Sequence, residues 1–428
     1  MKYAIVTFGC RVNQADSLEF EEDLIEAGAR PADSDDADLV VVNTCSVTTS
    51  ADQGARQTIR RIARVNPDAK IVVTGCYATR CPDEVGELPN VVRVVRNPDK
   101  AALVGALLGG DDRLLTLTSA ERFGSGDGSC GASIEPGVAG RTAFTLRVQT
   151  GCAEPCSYCI IPTTRGEPRS RPIAELLGEI DRVVAAGFKE IALTGVHLGS
   201  YGRDLKPALR LIDLLREMAA RETRPSGDRV QFRISSLEPM DCTPEVVRTV
   251  AEHDCFASHF HLPLQHASDR MLAAMRRPYT STQYSTLVDD IRRRIPHAAI
   301  GSDVIVGFPG ETDRDFEQLA LYLESCPLTH VHVFPYSDRP GTVAAALDDK
   351  VPGAIIRERA RRVRDISAAL ARRFRAGQLG TVHRALTLED GSSAVTGNYL
   401  KLRIPPGRVR NEWVNVRVVD DGRAEVLP

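Results

Sequence analysis

Short runs of Val and Ile, each followed by a longer amphipathic stretch, recur along most of this 428-residue chain and confine it to an α/β architecture. Near the N-terminus "KYAIVTF", "ADLVVVN" and "AKIVVTG" alternate with "DSLEFEEDLIEAG" and "SADQGARQTIRRIARV". Apolar runs of that length, bounded by Asn and Gly, read as strands buried on both faces of an open parallel sheet with crossover helices. A second series follows, with strand candidates at "AFTLRVQT", "EIALTG", "VQFRISS", "FASHFHL", "AIGSDVIVGF" and "THVHVFPYS". Six units suit a partial (β/α)6 barrel better than a closed eightfold one. After the arginine-studded "IIRERARRVRDISAALARRFRA", the pattern changes to short alternating runs, "GTVHRALTL", "AVTGNYLKLRI", "EWVNVRVV" and "RAEVLP", which predict a small antiparallel β-barrel. The Gly- and Ser-rich stretch "ERFGSGDGSCGASIEPGVAGR" carries no hydrophobic period and reads as a linker. The expected divisions are residues 1–115, a linker at 116–140, a barrel at 141–365 and a terminal domain at 366–428.

The eleven cysteines are an odd count without the pattern of a secreted scaffold, so metal or catalytic thiols are expected ahead of disulfides. Cys10, Cys45 and Cys76 each stand at the end of a strand candidate in the first domain. The carboxyl ends of parallel strands share one edge, where ligands bind, so these three thiols would gather at one crevice. Taken singly, each is also an ordinary small core residue. Cys152, Cys156 and Cys159, in "GCAEPCSYCIIP", follow the first strand of the barrel, at the mouth where barrel active sites lie. Three thiolates suit an iron–sulfur cluster, and three ligands rather than four leave one iron open for chemistry. A zinc site would need a remote fourth ligand, which the loop does not supply. Cys81 lies just past the third strand and is read as a spectator. Cys130 falls in the linker, and Cys242, Cys255 and Cys326 lack metal-like spacing.

The near-neutral net charge of -3 hides a split. Residues 1–140 hold 14 Lys and Arg against 21 Asp and Glu, whereas residues 353–428 hold 15 against 8. The basic tail points to an anionic partner. No stretch approaches the roughly 20 apolar residues that span a bilayer, and "MKYAIVTFGC" lacks a secretory pattern, so a cytoplasmic protein without a membrane partner is expected.

The cluster loop, with Tyr158 before its last Cys, resembles that of the radical S-adenosylmethionine enzymes. The likeness narrows to the methylthiotransferases through "FGCRVNQADS", "VVNTCSV" and "VTGCYA" in front, and "HLPLQHASDRMLAAMRRPYT", "DVIVGFPGET" and "FPYSDRPGT" behind. The last sixty residues are similar to the TRAM domain, a small RNA-binding barrel. Within the family, "GCRVNQADS" and "LTGVHLGSYGRD" look most like the branch acting on N6-threonylcarbamoyladenosine at tRNA position 37. Val12, Asn13 and Gln14 stand where the isopentenyladenosine branch has Met-Asn-Glu and the ribosomal-protein aspartate branch Pro-Lys-Asn. "TTRGEPRSR" departs from the family's Gly-Arg wording at Glu167 and Pro168.

The resemblance implies two [4Fe-4S] clusters, S-adenosylmethionine, tRNA and a reducing electron donor. The cluster on Cys152, Cys156 and Cys159 would bind and cleave S-adenosylmethionine, and the one on Cys10, Cys45 and Cys76 would carry the sulfur. The reaction would place a methylthio group on an unactivated adenine C–H, with the protein supplying orientation and exclusion of competing reactions. Tyr158, Gly195, Ser235, Ser236, Gly307 and Gly310 are expected near the cofactor, the glycines allowing close backbone approach or simply serving tight turns. His259 and His261 share a strand face and with His266 serve either ligand or structure. The arginine run would meet phosphates or form a solvated helix face, and Tyr399 and Trp413 would stack on bases or pack in the barrel. The alternatives are the same chemistry on isopentenyladenosine or on a ribosomal-protein aspartate, and a non-enzymatic, metal-stabilised RNA-binding protein.

Overall fold

The computed structural model describes residues 1–107, 142–221 and 230–428. The expected linker at 116–140, with Cys130, lies outside the described residues.

Five parallel strands form the first sheet: β1 (Lys2–Thr7), β2 (Arg30–Pro31), β3 (Leu39–Thr44), β4 (Lys70–Gly75) and β5 (Val91–Val95). Their order is β2-β1-β3-β4-β5, so the chain reverses direction across the sheet between β1 and β3. That reversal opens a crevice at the strand carboxyl ends, the usual ligand position in such sheets. β3 is buried along its whole length, as its unbroken "LVVV" run requires. The helix Thr49–Val65 covers one face with Ala55, Ile59 and Ile62, and the Thr48 hydroxyl caps its start by accepting from the Ala51 amide. Each fully buried Val or Ile contributes about 1.5–3 kcal/mol, so these runs dominate the local energetics.

The second domain contains β6 (Ala143–Arg147), an antiparallel pair of two-residue strands, β7 (Gln149–Thr150) and β8 (Arg169–Ser170), then β9 (Glu190–Thr194), β10 (Gln231–Ile234), β11 (His259–His261), β12 (Ala299–Val306) and β13 (His330–Pro335). Two parallel three-stranded sheets, β10-β9-β6 and β11-β12-β13, meet at a parallel bridge between Ser236 and His261. The result is the expected six-stranded open barrel, whose Leu-, Ile- and Val-rich core extends to Val363 and Ile366 on the long helix Gly353–Ala376. That helix leads into a closed five-stranded barrel of β14 (Val382–Leu388), β15 (Ser393–Thr396), β16 (Lys401–Arg403), β17 (Trp413–Asp420) and β18 (Arg423–Val426). Its ladders are antiparallel except for a parallel contact between β16 and β18, which closes the ring.

Buried ion pairs lock the domains together. Asp16, on the helix Arg11–Glu26, receives Lys100 from its own domain and Arg147 and Arg165 from the barrel. On the other flank Arg339, in "FPYSDRPGT", donates to Asp52 at 2.9 Å and to the Val47 carbonyl at 3.3 Å. Arg233 of β10 pairs with Glu190 and donates to the Gly397 carbonyl of the small barrel at 2.9 Å. Among the described residues, no helix is long and apolar enough to cross a membrane.

Candidate active site

The first thiol trio stands at the carboxyl ends of β1, β3 and β4, around the point where strand order reverses. Cys10 is the N-cap of the helix Arg11–Glu26, and Cys76 opens the helix Cys76–Arg80. Two glycines make this arrangement possible. Gly9 has φ +90°, and a β-carbon there would stand 2.5 Å from Cys45 Cβ and 2.6 Å from its Sγ. Gly75 has φ +99°, with space for no β-carbon against the Thr44 carbonyl 2.1 Å away. Both backbones sit in the left-handed region that glycine tolerates. Burial, reinforced by Cys76 and Cys10 nearby, pushes the Cys45 thiol up to about 11. Cys45 and Cys76 are buried, whereas Cys10 is exposed. Asn97 donates to Cys76 Sγ at 3.6 Å and to the Thr164 carbonyl of the barrel at 2.8 Å. Arg165 interacts with Cys76 and Cys10 from the barrel side. Cys81, partly exposed, ends that same short helix.

The second trio lies on the loop after β7. The Glu154 amide donates to Cys152 Sγ at 3.4 Å, and the Cys159 amide to the Cys156 carbonyl at 3.1 Å, which curls the loop around its thiols. Burial, with Cys156 and Cys152 adding to it, pushes the Cys159 thiol up to about 12. The buried Arg277 donates to Cys156 Sγ at 3.0 Å, to the Tyr279 hydroxyl at 3.1 Å, and to Glu238. His197 lies 2.8 Å from Asp241. Burial opposes its charge, but Asp241 and Cys152 outweigh burial and push it up to about 9. Tyr158 packs with Met271, Met275 and Phe308 behind the loop.

Both trios consist of thiols close enough to perturb one another, and none of the described cysteines is in a disulfide. Three crowded thiolates need a cationic centre to hold them, and sulfur-only donor sets suit iron–sulfur clusters.

Between the domains lies a cavity of about 440 Å³. The first domain supplies Cys10 and Arg11, the barrel Gly195, Ser235, Ser236 and a group of histidines, and the small barrel Tyr399. Ser235 Oγ is buried without a protein partner, as expected of a group reserved for a ligand. A β-carbon on Gly195 would meet Leu198 at 2.9 Å and Gln149 at 3.1 Å. Neither Gly307 nor Gly310 lines this cavity. Gly307 makes room for Ile356 of the long helix, and a β-carbon on Gly310 would meet open space. His259 and His261 both face the cavity, while His266 is wholly buried and accepts from the Ser268 amide at 2.9 Å. Tyr399 accepts from Arg11 at 2.6 Å and lies under the Arg233 guanidinium, which stands 4.3 Å from the ring centroid. Trp413 is covered by Arg384 at 3.8 Å.

The arginine run divides. Arg359 is buried against Asp313, Arg362 pairs with Glu317 and Arg373 donates to the Cys326 carbonyl, while Arg357, Arg364 and Arg372 are exposed. The roles of Arg11, Arg165, Arg233, Arg277, His197, His330 and His332 escape sequence reasoning. The only trace of Arg277 is its place in "AAMRRPYT".

Comparison with known proteins agrees with this layout. Residues 2–96 match the family described as Uncharacterized protein family UPF0004, and residues 146–323 match the Radical SAM superfamily. The chain is 36% identical to the threonylcarbamoyladenosine tRNA methylthiotransferase MtaB of Bacillus subtilis, over 87% of this chain and 81% of that protein. It is 35% identical to the MtaB of Aquifex aeolicus, over 94% and 96%. It is also 34% identical to the tRNA-2-methylthio-N(6)-dimethylallyladenosine synthase of Paenarthrobacter aurescens, over 92% and 76%. In fold it is similar to the radical S-adenosylmethionine methyltransferase TsrM of Kitasatospora setae, with TM-score 0.58 and 17% identity over 80% of this chain and 75% of that one.

Proposed function

This chain belongs to the radical S-adenosylmethionine methylthiotransferase family, and from that premise we propose that it converts N6-threonylcarbamoyladenosine at tRNA position 37 to its 2-methylthio derivative. In this reading Cys152, Cys156 and Cys159 hold one [4Fe-4S] cluster, and Cys10, Cys45 and Cys76 hold a second. Bound there, the clusters and S-adenosylmethionine supply the one-electron chemistry and the sulfur that an adenine C–H requires.

The chain's own residues do the positioning. Arg277 holds Cys156 in register by donating to its sulfur while anchored on Glu238. Arg165 and Asn97 tie the first trio to the loop that follows the second, so the spacing between the two stays fixed. Arg339 performs the same service after Cys45 by gripping Val47 and Asp52. Ser235 and Ser236 offer hydroxyls at the end of β10, where a polar cofactor group needs partners. Domain divisions near 115, 141 and 366 follow the same reading. A low-potential electron donor and a cytoplasmic setting with tRNA come with it.

The observation that carries the reading is a cavity to which Cys10 and the barrel strand ends both contribute. Its lining also favours the threonylcarbamoyl substrate over the dimethylallyl one. Arg11 and Tyr399 offer charge and hydrogen bonds to a group bearing a carboxylate and a hydroxyl. A branched hydrocarbon would offer the Arg11 guanidinium no opposite charge. Val12, Val47, Ile161 and Val196 supply apolar surface for the adenine ring.

The test is anaerobic reconstitution followed by turnover with S-adenosylmethionine and dithionite on tRNA carrying either modification, read by nucleoside mass spectrometry. The methylthio product is expected from threonylcarbamoyl-modified tRNA. Product only from the dimethylallyl form, or only on a ribosomal protein, would overturn the substrate, and no product with both clusters intact would overturn the reaction.

A further inference from the structure

We propose that His261, His330 and His332 form a divalent metal site of the zinc class, separate from both thiol trios. The three side chains come from β11 and β13, which flank β12, and face the same side of the barrel. His261 of β11 pairs in register with Gly301 of β12, which pairs in turn with His330 of β13; two residues on, Asp303 pairs with His332. Residues two apart on a strand share a face, so this row and the next converge on one spot in the cavity wall. One nitrogen from each imidazole lies within 4.8 Å of the others.

Gly301 is what permits the convergence. A β-carbon there would lie 2.3 Å from His330 Nε2 and 3.0 Å from His261 Nδ1, so both nitrogens occupy the space a side chain would fill. A glycine inside a strand marks such a close approach. The opposite nitrogens are already engaged. His261 Nε2 lies 3.0 Å from Asp303 Oδ1, and His330 Nδ1 lies 3.1 Å from Thr329 Oγ1. With the Thr329 hydroxyl donating to the Ile300 carbonyl, the hydrogen toward Thr329 comes from His330 Nδ1. That tautomer leaves the His330 Nε2 lone pair pointing into the cluster. The same argument at Asp303, an obligate acceptor, leaves the lone pair of His261 on Nδ1. Metal-binding imidazoles are held in this way, with the far N–H on a carboxylate or another oxygen.

Three nitrogens and an open position match zinc, or iron, cobalt and nickel as its nitrogen-seeking relatives, and do not match magnesium or calcium. Metal–nitrogen bonds of 2.0–2.1 Å require the nitrogens to stand about 3.4 Å apart in a tetrahedron, so a bound ion draws the group together by about 1 Å. His332, the exposed member, has the freedom to make that movement. The fourth position faces the cavity and takes water or a substrate oxygen.

The test uses full-length, cluster-loaded protein, so that thiols are already occupied, and does not depend on turnover. After equilibrium dialysis against zinc, elemental analysis is expected to find one zinc per chain, with an X-ray absorption edge showing imidazole nitrogen and no sulfur. His332→Ala is expected to weaken zinc at least tenfold with the iron count unchanged. Asp303→Asn is expected to weaken it by about 10–100-fold, as loss of such an outer partner typically does. Gly301→Ala, which forces His330 aside, is expected to abolish it, with iron content reporting whether the barrel is intact. Zinc with sulfur ligands, no bound zinc, or zinc retained undiminished in His332→Ala would overturn the proposal.

Discussion

At the residue scale, one added carbon beside a thiol separates the two trios. Gly9→Ala would force a β-carbon onto Cys45 while asking alanine to hold φ +90°. The expected outcome after anaerobic reconstitution is a fall from about eight irons per chain to about four, with the barrel cluster retained. Gly307→Ala serves as the contrast. Its new carbon meets Ile356, so it should lower thermal stability while leaving iron unchanged. About four irons in both the parent and Gly9→Ala would mean that the first trio holds no cluster. The same difference governs what was legible in the chain. Spacing and strand-end position expose Cys10, Cys45 and Cys76 because thiols are rare and their placement after "FG", "NT" and "TG" repeats. Arg277 and Arg165 leave no such mark, since their partners are 121 and 149 residues away and arginine is abundant on any surface. Gly307 was legible as a glycine that something requires, but not as one required by a helix far downstream.

At the element scale, the helix Arg11–Glu26 carries two carboxylates whose linkage to pH has opposite sign. Burial alone would raise Asp16, but Lys100, Arg165 and Arg147 outweigh it and hold the group well below the usual carboxylate range. Its contribution to stability is therefore complete above the ordinary carboxylate range and is lost as pH falls below it. Asp16→Asn strips one charge from a buried four-member network, and the expected loss is about 3 kcal/mol at neutral pH in chemical denaturation. Glu22 behaves the other way. Burial, helped by Glu179 and Glu19 and opposed by Arg182, pushes it up to about 8. The folded state then holds its proton more tightly than the unfolded chain, so stability declines as pH climbs from the ordinary carboxylate range toward 8. Glu22→Gln removes that decline. Its melting temperature should exceed that of the parent at pH 8, and the two should converge near pH 5. A gap that widens toward low pH would contradict this assignment. The helix itself was legible from "DSLEFEEDLIEAG", as were the long strands from their Val and Ile runs. The two-residue strands β2 and β8 were not, because a pair of residues carries no period and is ordered only by the neighbours it joins.

At the scale of the whole molecule, the cavity is lined by all three parts, and the small barrel's part in it is separable from its proposed contact with nucleic acid. The basic excess of the tail is partly spent internally: Arg359, Arg362 and Arg373 tie the long helix to the barrel, and on the small barrel Arg417 and Arg423 pair with Glu425 and Asp420. Net charge therefore overstates the surface available to phosphate, which is why composition indicated an anionic partner without locating where it binds. Exposed Arg364 and Arg372 on the long helix are the better candidates. Removing one arginine–phosphate pair should reduce the slope of log affinity against log salt by about 1, so Arg364→Gln with Arg372→Gln should flatten that slope by about 2 and leave turnover at saturation unchanged. Tyr399→Ala should do the reverse. Its side chain reaches from the small barrel into the cavity, where Arg11 donates to its hydroxyl and Arg233 lies over its ring. Under the proposed function, removing it opens a wall of the substrate cavity, so turnover at saturation should fall at least tenfold, equally on whole tRNA and on an isolated anticodon stem-loop, with the salt slope intact. If Tyr399→Ala instead altered only salt-dependent affinity, the residue would belong to the phosphate-binding surface, and the small barrel would have no part in closing the site.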